Sequence, residues 1–323
     1  MTRIEPWLAP RSADSPSALS VGVMNFGKRT PAAAAERIVR RALERGLPFF
    51  DTANVYGSGE SERILGRALG KDRKDAFIAT KVGLFGMPAK TEGLSAGAIA
   101  RAIDESLARL GTDHVDLYYL HAPDPKVPVA ETLDAMKAVL DSGKARAWGV
   151  SNYASWAILE IDQLADARGM PRPAVSQVLY NVLIRQLEVE YFAFARRFPI
   201  HTTVYNPLAG GLLSGKHLRE QIPKGSRFDG NAMYQRRYWS ERFFALVDSV
   251  TGVARDESLS LLELSYAWVA HRPGVDSVLL GPADVAQLDA GIDGAGKTLS
   301  AEASRRLDEL LTAYAGTDAK YAR

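Results

Sequence analysis

The alternation of short apolar runs with amphipathic segments constrains the fold of this chain more than any other feature. Eight runs are apolar along most of their length, which predicts strands that are buried on both faces. They span residues 19–23, 47–50, 76–80, 115–120, 147–150, 174–179, 200–204 and 276–280. Helical spacing recurs between them, as at Ile99, Ile103, Leu107 and Leu110. This order predicts an α/β fold, a (β/α)8 barrel with its active site at the C-terminal mouth.

A doubly wound open sheet is the rival architecture, and it usually carries a GxGxxG turn after its first strand. The stretch at Gly57 and Gly59 continues with Glu-Ser-Glu at 60–62 and does not complete that pattern. No linker divides the chain, so we expect one domain over residues 1–323, with 1–18 an extended N-terminal segment. Residues 215–242 interrupt the alternation after the seventh strand and predict an active-site loop.

Composition excludes several classes of function. The 323 residues include no cysteine, which excludes disulfides and cysteine-ligated metals, and the five histidines have no HExxH spacing. Lys and Arg number 40 against 38 Asp and Glu, without the basic stripe of nucleic-acid binders. No apolar segment has the length of a signal-peptide core or a membrane span. We therefore expect a soluble, cytoplasmic protein that binds no metal, nucleic acid or membrane.

Polar residues stand at the carboxyl ends of most of the predicted strands. They are Asp51, Lys81, His121, Ser151 with Asn152, Gln177, and Tyr205 with Asn206. One such residue alone is explained equally well by a helix cap or a satisfied buried histidine. Because the carboxyl ends of barrel strands meet at one mouth, the set together predicts a catalytic site there.

Longer motifs surround these positions. They read DTANVYG at 51–57 with ESE at 60–62, TK at 80–81, YLHAPD at 119–124, SNYASW at 151–156 and YNPLAGGLL at 205–213. Together they resemble the aldo-keto reductase superfamily, and most closely its aflatoxin-aldehyde and succinic-semialdehyde reductase subfamily. The likeness runs from about residue 19 to the terminal Tyr-Ala-Arg at 321–323. It implies reduction of small aldehydes and ketones with NADPH, by hydride transfer from the nicotinamide and protonation of the carbonyl oxygen.

The resemblance also implies four catalytic roles. Tyr56 is the proton donor, and the buried ammonium of Lys81 lowers the pKa of that phenol. Asp51 balances the charge of the lysine, which would be costly to bury alone. His121 hydrogen-bonds the substrate oxygen and orients the carbonyl.

For the cofactor, the resemblance implies a larger set of residues. They are Asp51, Ser151, Asn152, Gln177, Tyr205, Asn206, Pro207, Leu208, Gly210, Leu212, Gly215, Lys216, Arg227, Gly281 and Gln287. The ring of Tyr205 stacks on the nicotinamide, and residues 281–287 hold the adenosine end at a helix N-terminus. The chain departs from its relatives there, because Pro-Ala-Asp follows Gly281 where they have Ser or Thr. An acidic Asp284 close to a 2′-phosphate would oppose NADPH.

The substrate side of the resemblance lies in two loops. The loop 82–94 should line the pocket, and it is unlike the usual run of the subfamily. In the loop after the seventh strand, Tyr234 and Arg237 match the positions that hold a substrate carboxylate, with His121 at the carbonyl end. A solvated basic loop explains the same residues without any ligand. The resemblance also makes a homodimer possible.

Two other functions remain open. Residues 291–298, GIDGAGKT, match the phosphate loop of nucleotide hydrolases. A phosphate loop must leave a buried strand directly, whereas a short helix is predicted before this one, so we expect a solvent loop between two C-terminal helices. Barrel relatives that act as channel subunits suggest the other alternative, a catalytically slow regulatory subunit that binds NADP(H).

Overall fold

Eight parallel strands close into a barrel in chain order, with the last strand hydrogen-bonded to the first. In this computed structural model, which describes residues 5–8, 16–84, 93–217 and 219–315, each predicted strand is present within two residues of its predicted bounds. The strands are β1 Ala18–Gly22, β2 Phe49–Asp51, β3 Phe77–Val82, β4 Val115–Leu120, β5 Ala145–Ser151, β6 Val175–Leu179, β7 His201–Tyr205 and β8 Ser277–Leu280. The predicted (β/α)8 barrel is therefore confirmed.

Helices connect the strands and cover the outside of the barrel. They are α1 Glu5–Leu8, α2 Ala32–Glu44, α3 Glu60–Leu69, α4 Ala96–Leu110, α5 Val129–Asp141, α6 Ser155–Ala167, α7 Tyr191–Arg197, α8 Ala232–Tyr238, α9 Glu241–Asp256, α10 Leu261–Ala270, α11 Val285–Ala295 and α12 Ala301–Ala315. Helix α4 begins after Ser95, whose side chain accepts the backbone N–H of Ala98, and it ends at Gly111 in the left-handed conformation. No helix in the described ranges is long and apolar enough to cross a membrane.

Within residues 1–18, which we expected to form an extended segment, the structure describes residues 5–8 and 16–18. Residues 5–8 form the helical turn α1, and the indole of Trp7 stacks on Phe49 with ring centroids 4.4 Å apart. Trp7 also contacts the ring of His201, 4.1 Å away. Because Phe49 and His201 begin their strands, the turn places an aromatic plug at the amino end of the barrel.

The two ends of the barrel interior differ in chemistry. At its amino end and centre, Phe49, Ala79, Leu117, Tyr119 and Val175 form a small apolar cluster separate from the main core. The main core lies between the strands and the surrounding helices, and its members are buried. Asp51 and Lys81 of the predicted site lie at or next to the carboxyl ends of β2 and β3.

The glycine-rich stretch 291–298 is not the solvent loop that we expected. Its first five residues belong to α11, which packs on α10, and only the remainder lies between α11 and α12. A Cβ at Gly294 would lie 3.3 Å from both Glu263 Cα and Tyr266 Cβ, so its glycine allows close helix packing. Because the stretch follows a helix rather than a strand, it has no phosphate-loop geometry.

Candidate active site

A buried ion pair forms the centre of the site. Asp51 ends β2 and pairs in register with Ala79 of β3, so Lys81, two residues further on, projects from the same face of β3. The ammonium of Lys81 donates to the carboxylate of Asp51 and, at 2.7 Å, to the carbonyl of Thr52. Gln177 donates to the other carboxylate oxygen at 2.8 Å. Both charges are at most 1% exposed, and each is compensated by hydrogen bonds as burial requires.

Tyr56 and His121 lie above this pair at the mouth. Tyr56 begins the 3-10 turn Tyr56–Gly59 after β2, and its ring centroid is 5.3 Å from Lys81 Nζ. His121 follows β4, and its backbone N–H donates to the carbonyl of Val82 at 2.8 Å. The Tyr56 and His121 rings meet edge to face, with centroids 5.8 Å apart. The structure thus brings all four predicted catalytic side chains together.

The protonation of these groups is governed chiefly by burial. Burial raises the pKa of Tyr56 well above its ordinary value, and the charge of Asp51 raises it further. Burial lowers the pKa of Lys81 despite the opposing effect of Asp51. The same cause, with the charge of Lys81 added, lowers the pKa of His121 well below its ordinary value. Tyr56 is therefore protonated and His121 neutral at pH 7.

The direction at Tyr56 is opposite to the one that we expected from Lys81. Its ammonium contacts the carboxylate of Asp51 directly, so the pair presents little net positive charge to the phenol. Removing the phenol from water then dominates, since burial penalises the phenolate. The nearby positive charge that lowers the pKa of Tyr56 is that of Arg227, and its effect is the smallest.

A second layer supports the catalytic residues from behind. Ser61 of α3 donates to the carbonyl of Val23 at 2.8 Å, and its hydroxyl lies 2.9 Å from that of Thr52. Glu62 is fully buried, accepts the hydroxyl of Thr80 at 2.6 Å and pairs with Arg109 at 2.5 Å. The motif residues at 61 and 62 therefore fix helix α3 to the strands that carry the site.

Three polar residues form a platform beside His121. Tyr205 ends β7, and its hydroxyl donates to Asn152 Oδ1 at 2.7 Å. The amide of Asn152 donates to Ser151 Oγ at 3.0 Å and to the carbonyl of His121 at 2.9 Å. Asn152 adopts a φ of 63°, a conformation that non-glycine residues rarely take outside tightly held sites. The side chain of Tyr205 is half-buried.

The segment after β7 makes a compact turn next to this platform. Asn206 Oδ1 accepts the backbone N–H of Gly210 at 2.6 Å, and its amide donates to the hydroxyl of Tyr238 at 2.7 Å. Gly210 has a φ of 73°, and a Cβ there would lie 2.7 Å from the ring of Tyr234. The remaining predicted members of the segment are Pro207 and Leu212, which are buried, Leu208, which is half-buried, and Gly215 and Lys216, which are exposed.

The predicted active-site loop contains helix α8, which carries the two predicted carboxylate-binding residues. Tyr234 is buried, and the guanidinium of Arg237 lies 5.8 Å from its ring centroid. The hydroxyl of Tyr234 accepts a hydrogen bond from Arg227 Nη1 at 3.2 Å. The charge of Arg237 lowers the pKa of Tyr205, although burial raises it overall, so Arg237 acts on the same mouth. Residues 85–92 of the predicted pocket loop and 321–323 lie outside the described residues.

The loop after β8 leads into α11 through a cap made by Asp284. Its carboxylate accepts the backbone N–H and the side-chain amide of Gln287, both at 2.8 Å. Gln287 Oε1 in turn accepts the backbone N–H of Ala283 at 3.1 Å. Gly281 is exposed beside this cap. The carboxylate of Asp284 therefore already accepts one of the backbone N–H groups at the helix N-terminus that we predicted for the adenosine end.

Sequence reasoning missed two residues in the loop after β1, Asn25 and Arg29. Asn25 donates to the carbonyls of Gly281 and Pro282 at 3.2 and 3.3 Å, and its Oδ1 accepts hydrogen bonds from Arg29 and Arg227. The pattern of polar residues at strand ends extends to this loop and could have pointed to it. No motif of the resemblance includes these positions.

Comparison with known proteins agrees with the fold. The model of the aldo/keto reductase family matches residues 18–312. Aflatoxin B1 aldehyde reductase member 2 of Rattus norvegicus is 37% identical over 288 residues, which cover 84% of this chain and 78% of that protein. Aldo-keto reductase family 7 member A3 of Homo sapiens is 37% identical over 295 residues, covering 85% and 87% of the two chains. A probable voltage-gated potassium channel subunit beta of Oryza sativa subsp. japonica is 34% identical over 278 residues, covering 84% and 85%. Since the match runs from β1 into α12 and the likeness covers most of each relative, this oxidoreductase belongs to the aldo/keto reductase family.

Proposed function

We propose that the protein reduces small aldehydes and ketones to alcohols with NADPH, and that Tyr56 donates the proton. The observation that carries the proposal is the convergence of Tyr56 and His121 over the buried Lys81–Asp51 pair. A carbonyl oxygen placed between the phenol and the imidazole would meet two neutral hydrogen-bond donors where negative charge develops.

The raised pKa of Tyr56 suits this role. Burial keeps the phenol of Tyr56 protonated across the physiological pH range, so the proton to be donated is always present. An alkoxide is a stronger base than a phenolate, so the developing alcohol oxygen still takes the proton from Tyr56. Neutral His121 orients the carbonyl, and its buried Nδ1 has no hydrogen-bond partner among the described residues. Lys81 and Asp51 lie beneath Tyr56 and His121 and neutralise each other's charge.

The residues at the mouth fit a nicotinamide dinucleotide. The cofactor, when bound, supplies the hydride to the carbonyl carbon. Two arginines, Arg29 and Arg227, converge on one neutral amide oxygen, and the half-buried ring of Tyr205 is fixed beside the catalytic group. The residues that would hold the cofactor are Asp51, Ser151, Asn152, Gln177, Tyr205, Asn206, Pro207, Leu208, Gly210, Leu212, Gly215, Lys216, Arg227, Gly281 and Gln287.

The preference for NADPH rests on positive charge. Lys216 is exposed at the end of its turn, and Arg227 is half-buried at the mouth, so both are available to a phosphate. Asp284 opposes a phosphate at α11, because its carboxylate already caps that helix. Titration of NADPH and NADH by quenching of tryptophan fluorescence tests the preference. Tighter binding of NADH would show that Asp284 outweighs the basic residues.

The substrate class that we propose includes aldehydes with a carboxylate at the far end. Tyr234 and Arg237 would hold that carboxylate while the aldehyde lies at Tyr56 and His121, and the names of the aldehyde reductase relatives support an aldehyde. A screen of charged and neutral aldehydes, followed by NADPH oxidation in wild type and Tyr56→Phe, tests the whole proposal. Equal turnover by the two proteins would refute it.

A second candidate function follows from the likeness to probable potassium channel subunits beta of Oryza sativa subsp. japonica and Arabidopsis thaliana. In this reading the chain binds NADP(H) with slow turnover and regulates a partner. Steady-state kinetics separate the two, since a regulator would turn over slowly with every aldehyde of the screen. A homodimer, a cytoplasmic location and a single domain over residues 1–323 stay predictions, and sedimentation of the purified chain tests the first.

A further inference from the structure

The buried ammonium of Lys81 lies between two tyrosine rings. Its Nζ is 5.3 Å from the ring centroid of Tyr56 and 5.5 Å from that of Tyr119. The negative face of an aromatic ring attracts an ammonium, most strongly where water is excluded. Lys81 and Tyr119 are both fully buried, so their contact is desolvated. Tyr56 is the predicted proton donor, and Tyr119 is a second ring on the same ammonium.

The strand register fixes Tyr119 beside Lys81. Tyr119 of β4 pairs with Lys81 of β3 on one side and with Gly149 of β5 on the other. Residues paired across neighbouring strands point to the same face of the sheet, so Tyr119 and Lys81 share the interior of the barrel. Tyr119 accordingly belongs to the small apolar cluster of that interior.

Gly149 leaves the space that the ring of Tyr119 fills. A Cβ at this position would lie 2.8 Å from Tyr119 Cε1 and 2.6 Å from the carbonyl oxygen of Val175. The first distance is well inside the about 3.5–4.0 Å at which non-bonded carbon atoms pack, so a larger residue would displace the ring or the strand. Close packing thus holds the ring in one place, next to the ammonium.

The hydroxyl of Tyr119 lies among polar groups of the barrel interior. Burial, followed by the charge of Asp51, raises the pKa of Tyr119 well above its ordinary value, and Thr203 and Gln177 lie close enough to lower it by a smaller amount. Gln177 also donates to Asp51 at 2.8 Å. The phenol is therefore neutral at pH 7, and it acts on the ammonium as an aromatic face and not as an anion.

We propose that Tyr119 is a positioning residue of the catalytic site, whose ring keeps the ammonium of Lys81 beneath Tyr56. The inference rests on the proposed function, in which this ammonium lies under the proton donor. Asp51 and Thr52, at the end of β2, accept the hydrogen bonds of the ammonium. Because β3 lies between β2 and β4, Tyr119 contacts the ammonium from the opposite neighbouring strand. Without this ring, the ammonium would be held from the β2 side and by Tyr56 alone.

Three variants on β4 separate the ring from its hydroxyl and from burial in general. Tyr119→Leu removes the ring, Tyr119→Phe keeps the ring and removes the hydroxyl, and Tyr118→Leu is the matched control. Tyr118 is as fully buried as Tyr119, but it belongs to the main core on the outer face of β4.

The first readout is steady-state reduction of an aldehyde with NADPH, at a temperature where circular dichroism shows each variant to be folded. Tyr119→Leu should lower kcat by about 10- to 30-fold with little change in KM for the aldehyde. Tyr119→Phe should retain most of kcat, and Tyr118→Leu should leave it unchanged. An equal loss of kcat in Tyr119→Phe, an equal loss in Tyr118→Leu, or no loss in Tyr119→Leu would overturn the inference.

Thermal unfolding tests the contact without any substrate. Tyr119→Leu should lower Tm by about 3 °C more in the wild type than in Lys81→Met, because the ring has no ammonium to attract in the second background. Tyr118→Leu should lower Tm equally in both. Equal losses for Tyr119→Leu would overturn the inference even in an active reductase, whereas the expected difference would support the contact even if no aldehyde were reduced. The two failures are therefore distinguishable.

Discussion

Removal of one partner from the buried Lys81–Asp51 pair should destabilise the protein more than removal of both. Lys81→Met leaves the carboxylate of Asp51, which is 1% exposed, with the amide of Gln177 but without its cation. Breaking a buried pair in this way costs about 3–5 kcal/mol, whereas replacing both charges is close to neutral. Unfolding entropy of about 2.1 cal/mol/K per residue gives about 0.7 kcal/mol per degree for 323 residues. We therefore expect Lys81→Met to lower Tm by about 4–7 °C.

The double variant Asp51→Asn with Lys81→Met is the decisive comparison. Thermal unfolding of wild type, both single variants and the double variant forms a cycle, and the coupling should exceed about 2 kcal/mol in the direction that restores stability. Turnover of the double variant should stay at least about 100-fold below that of the wild type, since both charged groups beneath Tyr56 are gone. If the Tm losses of the two single variants simply add in the double variant, the two charges do not stabilise each other. That result would refute the argument that each buried charge needs its partner.

Three further predictions concern the groups around the pair. Tyr56→Phe should lower kcat by about 100- to 10,000-fold with NADPH binding intact, as measured by steady-state oxidation of NADPH and fluorescence titration; unchanged kcat would remove Tyr56 as the acid. Arg237→Met should raise KM for a carboxylate aldehyde by about 10- to 100-fold and leave a neutral aldehyde of equal length unaffected, and an equal effect on both would contradict the carboxylate contact. Burial lowers the pKa of His121, so the folded state binds this proton less readily than the unfolded state and loses stability as pH falls below about 6.5. Wild type should therefore lose more Tm than His121→Gln between pH 7 and pH 5, and parallel curves would contradict the assigned direction.

The sequence predicts the barrel well because its strands are buried on both faces. Runs such as 115–120 are apolar at most positions, and β4 has the predicted bounds. The candidate catalytic residues are predictable for a related reason: a polar residue at the end of an apolar strand conflicts with its surroundings and is therefore conspicuous. Lys81 and Asp51 are such cases.

Other features depend on contacts between distant parts of the chain, and sequence patterns do not predict them. Arg29 and Arg227 are 198 positions apart and both donate to Asn25 Oδ1, and no local pattern encodes this contact. The stretch 291–298 resembles a phosphate loop in sequence, but its Gly291 and Gly294 allow α11 to pack closely on α10. The same short glycine-rich motif can form a phosphate loop or allow two helices to pack closely. The secondary-structure element that precedes the motif distinguishes the two cases.

In the proposed mechanism, the balance between charge and desolvation at Tyr56 bears on the direction of catalysis. The resemblance implies that the ammonium of Lys81 lowers the pKa of the phenol, whereas in the structure that ammonium is paired directly with the carboxylate of Asp51. Because burial then keeps Tyr56 protonated, the site is prepared to donate a proton and poorly prepared to accept one. In the proposed mechanism, reduction of a carbonyl consumes the proton that Tyr56 holds, while oxidation of an alcohol would need the phenolate that burial disfavours. The desolvation that raises the pKa of Tyr56 would therefore favour the protonated state that carbonyl reduction requires at neutral pH.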